Sequence, residues 1–277
     1  MSSISTSPQI DPTTLSRARR WIKDAESIIV TAGAGMGVDS GLPDFRGDEG
    51  FWKAYPPLAR AGLSFTDIAN GEAFGDDPEL SWGFYGHRLA LYRETEPHAG
   101  FTLLRELGWS KQYGIFFFTS NVDGQFQKAG VAGNRIVECH GSIHSLQCDK
   151  DCAGMIWSAD MLVPVVDAEH CRLRSPLPRC PLCNAVARPN ILMFNDYRWN
   201  DNRTDVQYER MRRWLSTARR PVVIEIGAGK SVPTVRRMGE NLGLPLVRIN
   251  PREWQVCGPD QIGLPCGALE GLRLLLK

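Results

Sequence analysis

Short apolar runs alternate with helical patterns along most of this chain. Four runs have the length and β-branched or aromatic content of buried strands: Ile28–Thr31, Ile115–Phe118, Val222–Ile226 and Leu246–Ile249. Apolar residues at helical spacing predict helices around Leu15–Ala25, Met211–Ala218 and Leu269–Leu276. Strands that alternate with helices predict an α/β fold, in which helices cover both faces of a parallel sheet.

Two regions interrupt this alternation. The first, from Phe51 to Pro97, is predicted as helix and loop with several aromatic residues, and the second, from Ile143 to Ala187, has weak periodicity and five of the eight cysteines. We expect a large discontinuous domain built from residues 13–50, 97–142 and 188–277. The insertions 51–96 and 143–187 are then expected to form a smaller second domain.

Composition excludes several classes of function. The 277 residues are 43% hydrophobic and 23% charged, which is typical of a soluble globular protein. A formal net charge of +1 gives no sign of nucleic-acid binding. No apolar stretch approaches the roughly 18 residues of a membrane span, and the polar N-terminus lacks a secretory signal. We therefore expect a cytoplasmic protein, in which close cysteine pairs are more often metal ligands than disulfides.

Two glycine-rich segments lie directly after predicted strands. In Thr31–Gly41, glycines would let the backbone approach a ligand and turn its N–H groups toward phosphate oxygens. The dehydrogenase spacing fails, because Val38 or Ser40 stands at the third glycine, so a merely tight turn is the alternative. Gly229–Ser231 is not a P-loop, because that motif requires glycine where Ile224 stands.

Four cysteines form two short pairs. They are Cys148 with Cys152, and Cys180 with Cys183. This arrangement predicts a tetrahedral Zn²⁺ site that is structural, because four thiolates leave no open position for water. Such a site stabilises a module too small for its own core. The alternatives are unrelated free thiols, or a set in which His170 or Cys171 replaces one ligand.

His140 is the leading candidate for acid–base chemistry. It lies between a predicted strand and the cysteine pairs, and its ordinary pKa suits a general base near neutral pH. The alternative is a packed or surface histidine. The sequence has neither a G-x-S-x-G nor an H-E-x-x-H motif, which argues against serine hydrolases and zinc hydrolases.

In combination, these segments resemble the sirtuin family from about Ser27 to the C-terminus. The matching segments, in order, are Gly33–Gly47, Thr119–Asp123 with Ala129-Gly130, Cys139-His140-Gly141, the four paired cysteines, Arg188-Pro189, Phe194, Gly227–Gly229, Ile249-Asn250 and Cys266-Gly267. The resemblance implies a Rossmann-like domain and a small helical and zinc-binding domain. NAD and an acyl-lysine protein or peptide would bind in the cleft between them.

The resemblance also assigns roles to individual residues. It places Gly33, Ala34 and Gly35 along the pyrophosphate of NAD, and Asp44, Phe45, Arg46, Ser120, Asn121 and Asp123 at the nicotinamide end. It places Gly227, Ala228, Gly229, Asn250 and Cys266 on the adenosine side, and Phe194 at the peptide. His140, with Asn121 and Asp123, would carry the catalysis.

The implied reaction consumes NAD. The acyl oxygen attacks C1′ of the nicotinamide ribose as nicotinamide leaves, and His140 then acts as base on a ribose hydroxyl. Free lysine and O-acyl-ADP-ribose are the products. The alternatives are an ADP-ribosyltransferase or NAD hydrolase, a non-catalytic NAD sensor or zinc-stabilised interaction module, and a dehydrogenase, which the failed glycine spacing disfavours.

One helical pair points to the acyl group. Tyr85 and Arg88 are three residues apart, so one helix face can present both, and this pair resembles that of the desuccinylase-type sirtuins. An arginine fork with a phenol suits a terminal carboxylate and predicts a preference for succinyl or malonyl over acetyl groups. Alternatively, Arg88 is solvated and Tyr85 packs beside Phe84.

The chain departs from the family pattern at several positions. Glycine is usual where Asn195 stands and glutamate where Asp196 stands, and we expect the carboxylate of Asp196 to disfavour an anionic substrate. Gly37 replaces the usual serine, Ser120 the usual glutamine, and Ala228-Gly229 the usual threonine-serine.

Overall fold

The computed structural model describes residues 10–44 and 47–276, with only the backbone of residues 47–49. The helices are Pro12–Asp24 (α1), Gly47–Ala54 (α2), Pro56–Arg60 (α3), Phe65–Ile68 (α4), Ala73–Asp76 (α5), Pro78–Glu94 (α6), Ala99–Ser110 (α7), Gln125–Lys128 (α8), Asn202–Thr217 (α9), Thr234–Asn241 (α10) and Ala268–Leu276 (α11). The strands are Ser27–Ala32 (β1), Ile115–Thr119 (β2), Ile136–Glu138 (β3), Gly141–Cys148 (β4), Ile156–Ser158 (β5), Val166–Asp167 (β6), Arg172–Leu173 (β7), Ala187–Ile191 (β8), Pro221–Ile226 (β9), Leu246–Ile249 (β10) and Gln261–Leu264 (β11).

A six-stranded parallel sheet forms the centre of the molecule. Its strand order is β11-β10-β9-β1-β2-β3, and Val30 of β1 lies between Phe117 of β2 and Ile224 of β9. All six residues of β1 are buried, which is why the strand is apolar throughout instead of alternating. The four strands predicted from apolar runs are confirmed as β1, β2, β9 and β10.

Helices cover both faces of this sheet, as the α/β prediction requires. Because side chains alternate along a strand, Val30 and Phe117 pack with α1, α7 and α11 on one face. Ile29 and Phe116 pack on the opposite face, where they join Met211 and Trp214 of α9. The predicted α/β fold is therefore confirmed.

Several elements lie outside the sequence predictions. Helix α9 begins at Asn202, nine residues before Met211, and its first half is polar. Helices α7 and α10 and strand β11 were not predicted, because their apolar patterns are short or interrupted by glycine. No helix in the described part of the chain has the length and apolar character needed to cross a membrane.

The two insertions contribute a separate hydrophobic cluster. Helices α2–α6 pack with an antiparallel sheet of order β5-β4-β8 and with the hairpin β6-β7. Helix α6 lies so close to β7 that a Cβ at Gly83 would be 1.9 Å from the carbonyl oxygen of Cys171. The hydrophobic cluster of the insertions is thus separate from the clusters on the two faces of the parallel sheet. The domain boundaries given above stay a prediction.

Candidate functional site

A deep cavity lies at the carboxyl edge of the parallel sheet. It has a volume of about 840 Å³ and is lined by segments that directly follow β1, β2, β3 and β9. Ligands of open α/β sheets bind at this edge, because successive loops leave it in different directions and open a crevice. The cavity is therefore the candidate active site.

Most of the residues predicted for the site line this cavity. They are Gly33, Ala34, Asp44, Tyr85, Arg88, Ser120, Asn121, Asp123, His140, Phe194, Gly227, Ala228 and Gly229. Gly35, Asn250 and Cys266 do not line it. Phe45 and Arg46 lie outside the described residues.

Two glycine loops meet at the base of the cavity through backbone contact. The N–H of Gly35 donates to the carbonyl oxygen of Gly227 at 3.1 Å, and a Cβ on Gly33 would lie 2.8 Å from that oxygen. Gly227 has a φ of 62°, which favours glycine, and its Cβ would be 2.4 Å from the carbonyl carbon of Gly35. Glycine is therefore required on both loops, and Gly35 acts in the wall behind the cavity.

Asn121 and Asp123 stand where β2 ends. The Nδ2 of Asn121 donates to the carbonyl oxygen of Gly33 at 3.0 Å, which joins this segment to the glycine loop. Oδ1 of Asp123 accepts from the N–H of Gln125 at 2.9 Å. Burial raises the pKa of Asp123 to about 6, more than that hydrogen bond lowers it. Such perturbed carboxyl groups are concentrated at functional sites.

His140 projects into the same cavity from the segment after β3. Its backbone carbonyl accepts from the N–H of Leu192 at 3.0 Å, which fixes the chain on either side of the cavity. Burial lowers the pKa of the imidazole, so the ring is neutral at pH 7 and able to accept a proton. The structure thus places a base beside Asn121 and Asp123.

Helix α6 supplies a buried cation to the cavity. Arg88 is only 7% exposed, and its guanidinium carbon lies 5.1 Å from the ring centroid of Phe84. The alternative of a solvated Arg88 is therefore wrong. Tyr85 does pack against Phe84, with ring centroids 4.9 Å apart, but it also lines the cavity.

The segment after β8 forms another wall. Phe194 lies in a backbone bridge: its N–H donates to the carbonyl of Ala69 at 2.8 Å, and its carbonyl accepts from Gly71 at 3.1 Å. The carboxylate of Asp196 turns away from the cavity and pairs with buried Arg188 at 2.7 Å. The carboxylate thus neutralises an internal arginine, and its predicted effect on an anionic substrate stays a prediction.

Asn250 positions the wall without lining it. Its Nδ2 donates to the carbonyl of Ala228 at 3.0 Å, and its Oδ1 accepts the N–H groups of Arg252 and Glu253 at 3.0 and 2.9 Å. Arg252 and Glu253 do line the cavity, and Arg252 pairs with Asp44 at 3.2 Å. Sequence reasoning missed both residues, although they lie only two and three positions after the predicted Asn250.

Cys266 is part of the hydrophobic core beside α11. It is 4% exposed, and burial raises the pKa of its thiol to about 12. Its contact with the cofactor, predicted from the resemblance, stays a prediction.

The four paired cysteines converge away from the cavity. Their sulfur atoms all lie within 4.8 Å of one another, and the pairs Cys148–Cys183 and Cys152–Cys180 are each 3.6 Å apart. Four thiolates at about 2.3 Å from a tetrahedral Zn²⁺ stand roughly 3.8 Å from one another, so the cluster fits this ion. None of the four lines the cavity, which agrees with a structural role.

The alternative zinc ligands have other partners. His170 contacts Asp167 through its Nδ1 at 3.1 Å, and Cys171 is buried in the hydrophobic cluster of the insertions. Neither belongs to the cysteine cluster.

Comparison with known proteins agrees with this geometry. The family model described as "Sir2 family" matches residues 33–227. The chain is 30% identical to an NAD-dependent protein deacylase of Thermus thermophilus over 266 residues, which cover 95% of this chain and 94% of that protein. It is also 30% identical to an NAD-dependent protein deacylase of Deinococcus radiodurans, over 95% of this chain and 98% of that protein.

Solved structures share the fold. A Sir2 homologue in complex with NAD superposes with a TM-score of 0.70 and 23% identity, over 98% of this chain and 94% of that one. A mutant Sir2 homologue in complex with ADP-ribose gives a TM-score of 0.69 and 24% identity, over 96% and 95%.

Proposed function

This chain belongs to the Sir2 family, and we propose that it is an NAD-dependent protein-lysine deacylase that transfers the acyl group to ADP-ribose and releases nicotinamide. One observation carries the proposal: His140, Asn121 and Asp123 line a single cavity together with the glycine loops at the carboxyl edge of the sheet. The curated relatives from Thermus thermophilus and Deinococcus radiodurans are NAD-dependent protein deacylases, and the volume of the cavity lies in the range typical of small-molecule and cofactor sites.

The glycine loops support the proposed position of NAD. Gly33 and Ala34 line the cavity wall, and the N–H of Gly33 donates to the carbonyl oxygen of Ile226 at 2.9 Å, so the N–H of Ala34 is the group proposed to meet the pyrophosphate. Ser120, Asn121 and Asp123 would then contact the nicotinamide end, and Gly227–Gly229 the adenosine side. Asn250 and Gly35 would act through the Gly227–Gly229 loop, since Asn250 donates a hydrogen bond to the carbonyl of Ala228 and Gly35 donates one to the carbonyl of Gly227.

His140 is proposed to accept the proton of a ribose hydroxyl. Its lowered pKa keeps the imidazole neutral at pH 7, and the hydroxyl it activates would attack the imidate carbon, which is the former carbonyl carbon of the acyl group. Buried Asn121 would hold the reacting ribose in line, which matters because a displaced reactant loses the benefit of proximity.

Nicotinamide release tests the reaction class. The enzyme is incubated with NAD, with and without an acyl-lysine peptide, and nicotinamide and deacylated peptide are quantified. We expect nicotinamide and free lysine in equal amounts, and only when peptide is present. Nicotinamide release that is independent of peptide would instead support an NAD hydrolase or ADP-ribosyltransferase.

We further propose that the acyl group is acidic, such as succinyl or malonyl. The support is the buried guanidinium of Arg88 in the cavity wall, because a carboxylate forms strong, charge-assisted bonds with arginine. Tyr85 lines the cavity on the same face of α6. The carboxylate of Asp196 pairs with buried Arg188, so its negative charge is neutralised and would repel such a substrate less.

Replacing the guanidinium tests this preference. For Arg88→Met we expect the ratio of kcat/KM for succinyl peptide to that for acetyl peptide to fall by roughly 10-fold or more, since a hydrogen-bonded charge is lost. Arg210→Met, an exposed arginine on α9, serves as the control and keeps the wild-type ratio. A wild-type enzyme that prefers acetyl peptide would overturn the acidic assignment.

A further inference from the structure

A second tyrosine holds the arginine of the proposed acyl site. The hydroxyl oxygen of Tyr92 accepts hydrogen bonds from Nε of Arg88 at 2.9 Å and from Nη2 of Arg88 at 2.6 Å. The guanidinium carbon also lies 5.3 Å from the centroid of the Tyr92 ring. Tyr85, Arg88 and Tyr92 occupy positions i, i+3 and i+7 of α6, which lie on one helix face.

The hydrogen bonds fix the direction of the guanidinium. Arginine presents five N–H donors in a rigid planar fork, so binding one oxygen with Nε and Nη2 sets the plane and rotation of the whole group. The guanidinium is confined further by two rings, because its carbon lies 5.1 Å from the centroid of Phe84 and 5.8 Å from that of Tyr85. Arg88 is thereby oriented before any substrate binds, which reduces the entropy lost on binding.

Tyr92 also brings a donor to the cavity. Burial raises the pKa of this phenol, so its hydroxyl stays protonated at neutral pH. Among residues 10–44 and 50–276, the hydroxyl donates to no acceptor, and Tyr92 lines the cavity. The hydroxyl hydrogen is thus available to a ligand that reaches Arg88.

We infer that Tyr92 is a specificity-determining residue, which positions Arg88 and donates its own hydroxyl to the terminal carboxylate of a dicarboxylic acyl group. This inference rests on the proposed deacylase function and its acidic acyl class. Tyr85 has a different surrounding, since its ring stacks on Phe74 at 5.6 Å and it has no hydrogen bond to Arg88 within the described residues. The carboxylate site is therefore built mainly from Arg88 and Tyr92.

The test replaces one hydroxyl and measures a ratio. Tyr92→Phe retains the ring and its contact with Arg88 but removes both the acceptor and the donor. We expect the succinyl-to-acetyl ratio of kcat/KM to fall roughly 10-fold or more, mainly through a higher KM for succinyl peptide. Tyr208→Phe, a half-buried tyrosine of α9 outside the cavity, is the control and keeps the ratio.

Three other results of this experiment would each contradict a different part of the proposal. Equal loss of activity on both peptides, together with a lower melting temperature, would reassign Tyr92 as a purely structural residue. A wild-type preference for succinyl peptide that Tyr92→Phe leaves intact would overturn the role of Tyr92 while retaining the acyl class. A wild-type enzyme that acts on acetyl peptide alone would overturn both the acyl class and this role.

Discussion

At the scale of single residues, burial decides which groups have the pKa that the chemistry needs. Burial lowers the pKa of His140 and raises that of Asp123 to about 6, so one cavity holds a neutral base and a weakened acid. The contribution of Asp123 to the stability of the native protein therefore falls as pH rises from the ordinary aspartate pKa through about 6, because the fold disfavours the charged carboxylate. Such a cost is typical of functional sites.

Removing the proposed base should abolish deacylation while leaving the binding of NAD largely unchanged. For His140→Ala we expect a roughly 10²–10⁴-fold loss of deacylation, because the ribose hydroxyl is no longer activated. NAD affinity, measured by calorimetry, should change little. His170→Ala, an exposed histidine, is the control and retains activity.

The pH dependence supplies a second check on His140. Because its folded pKa is lowered, the neutral base persists below the ordinary histidine range, and kcat should decline only as pH falls below about 6.5. A near wild-type rate for His140→Ala would make this histidine structural.

At the scale of elements, the cysteine pairs hold segments that have little core of their own. Cys148 ends β4, whereas Cys180 and Cys183 lie in a turn before β8, and the strands β5, β6 and β7 between them are only two or three residues long. A bound Zn²⁺ would join these segments and contribute folding free energy directly.

We expect one Zn²⁺ per chain, and a lower yield of folded protein when a ligand is lost. Cys180→Ser should reduce both zinc content and soluble yield, since three thiolates hold the ion less well. Cys257→Ser, an exposed cysteine outside the cluster, should leave both unchanged. Metal analysis and gel filtration measure the two effects, and well-folded wild-type protein without zinc would contradict the assignment.

At the scale of the whole molecule, a buried charge network joins the cysteine module to the cavity wall. Asp149 follows Cys148 directly and pairs with Arg198 at 3.1 Å, and Arg198 donates to the carbonyl of Gly71 at 2.9 Å. Arg188 lies between the carboxylates of Asp149 and Asp196, 3.9 Å from the first and 2.7 Å from the second. The wall that carries Met193 and Phe194 is thus tied to the zinc side of the fold.

Breaking this network should destabilise the protein. Arg188 is fully buried, so Asp196→Ala would leave a charge without its closest partner and cost about 3–5 kcal/mol of unfolding free energy, measured in urea. Glu209→Ala removes the exposed ion pairs with Arg212 and Arg213 and serves as the control. Equal effects of the two substitutions would show that the network contributes nothing beyond surface ion pairs.

The sequence by itself determined the parts of this protein that depend on local pattern. Continuous apolar runs predicted four central strands, because a parallel sheet covered on both faces needs no polar alternation. Paired cysteines predicted a cluster that the fold brings within 4.8 Å, because two close ligands on one turn already fix half of a tetrahedron. The ordered motifs around His140 predicted the family.

Only the tertiary structure decided which polar groups face the cavity. No local pattern shows that Asp196 turns inward to Arg188 or that Asn250 acts through Ala228, and the i, i+4 spacing of Arg88 and Tyr92 does not show that their contact is buried at the cavity. The burial of these groups depends on helix α6 and the segment after β8 being packed into the hydrophobic interior. The physical reason is burial, because inside a fold each charge must find its partner among residues that chain distance does not specify.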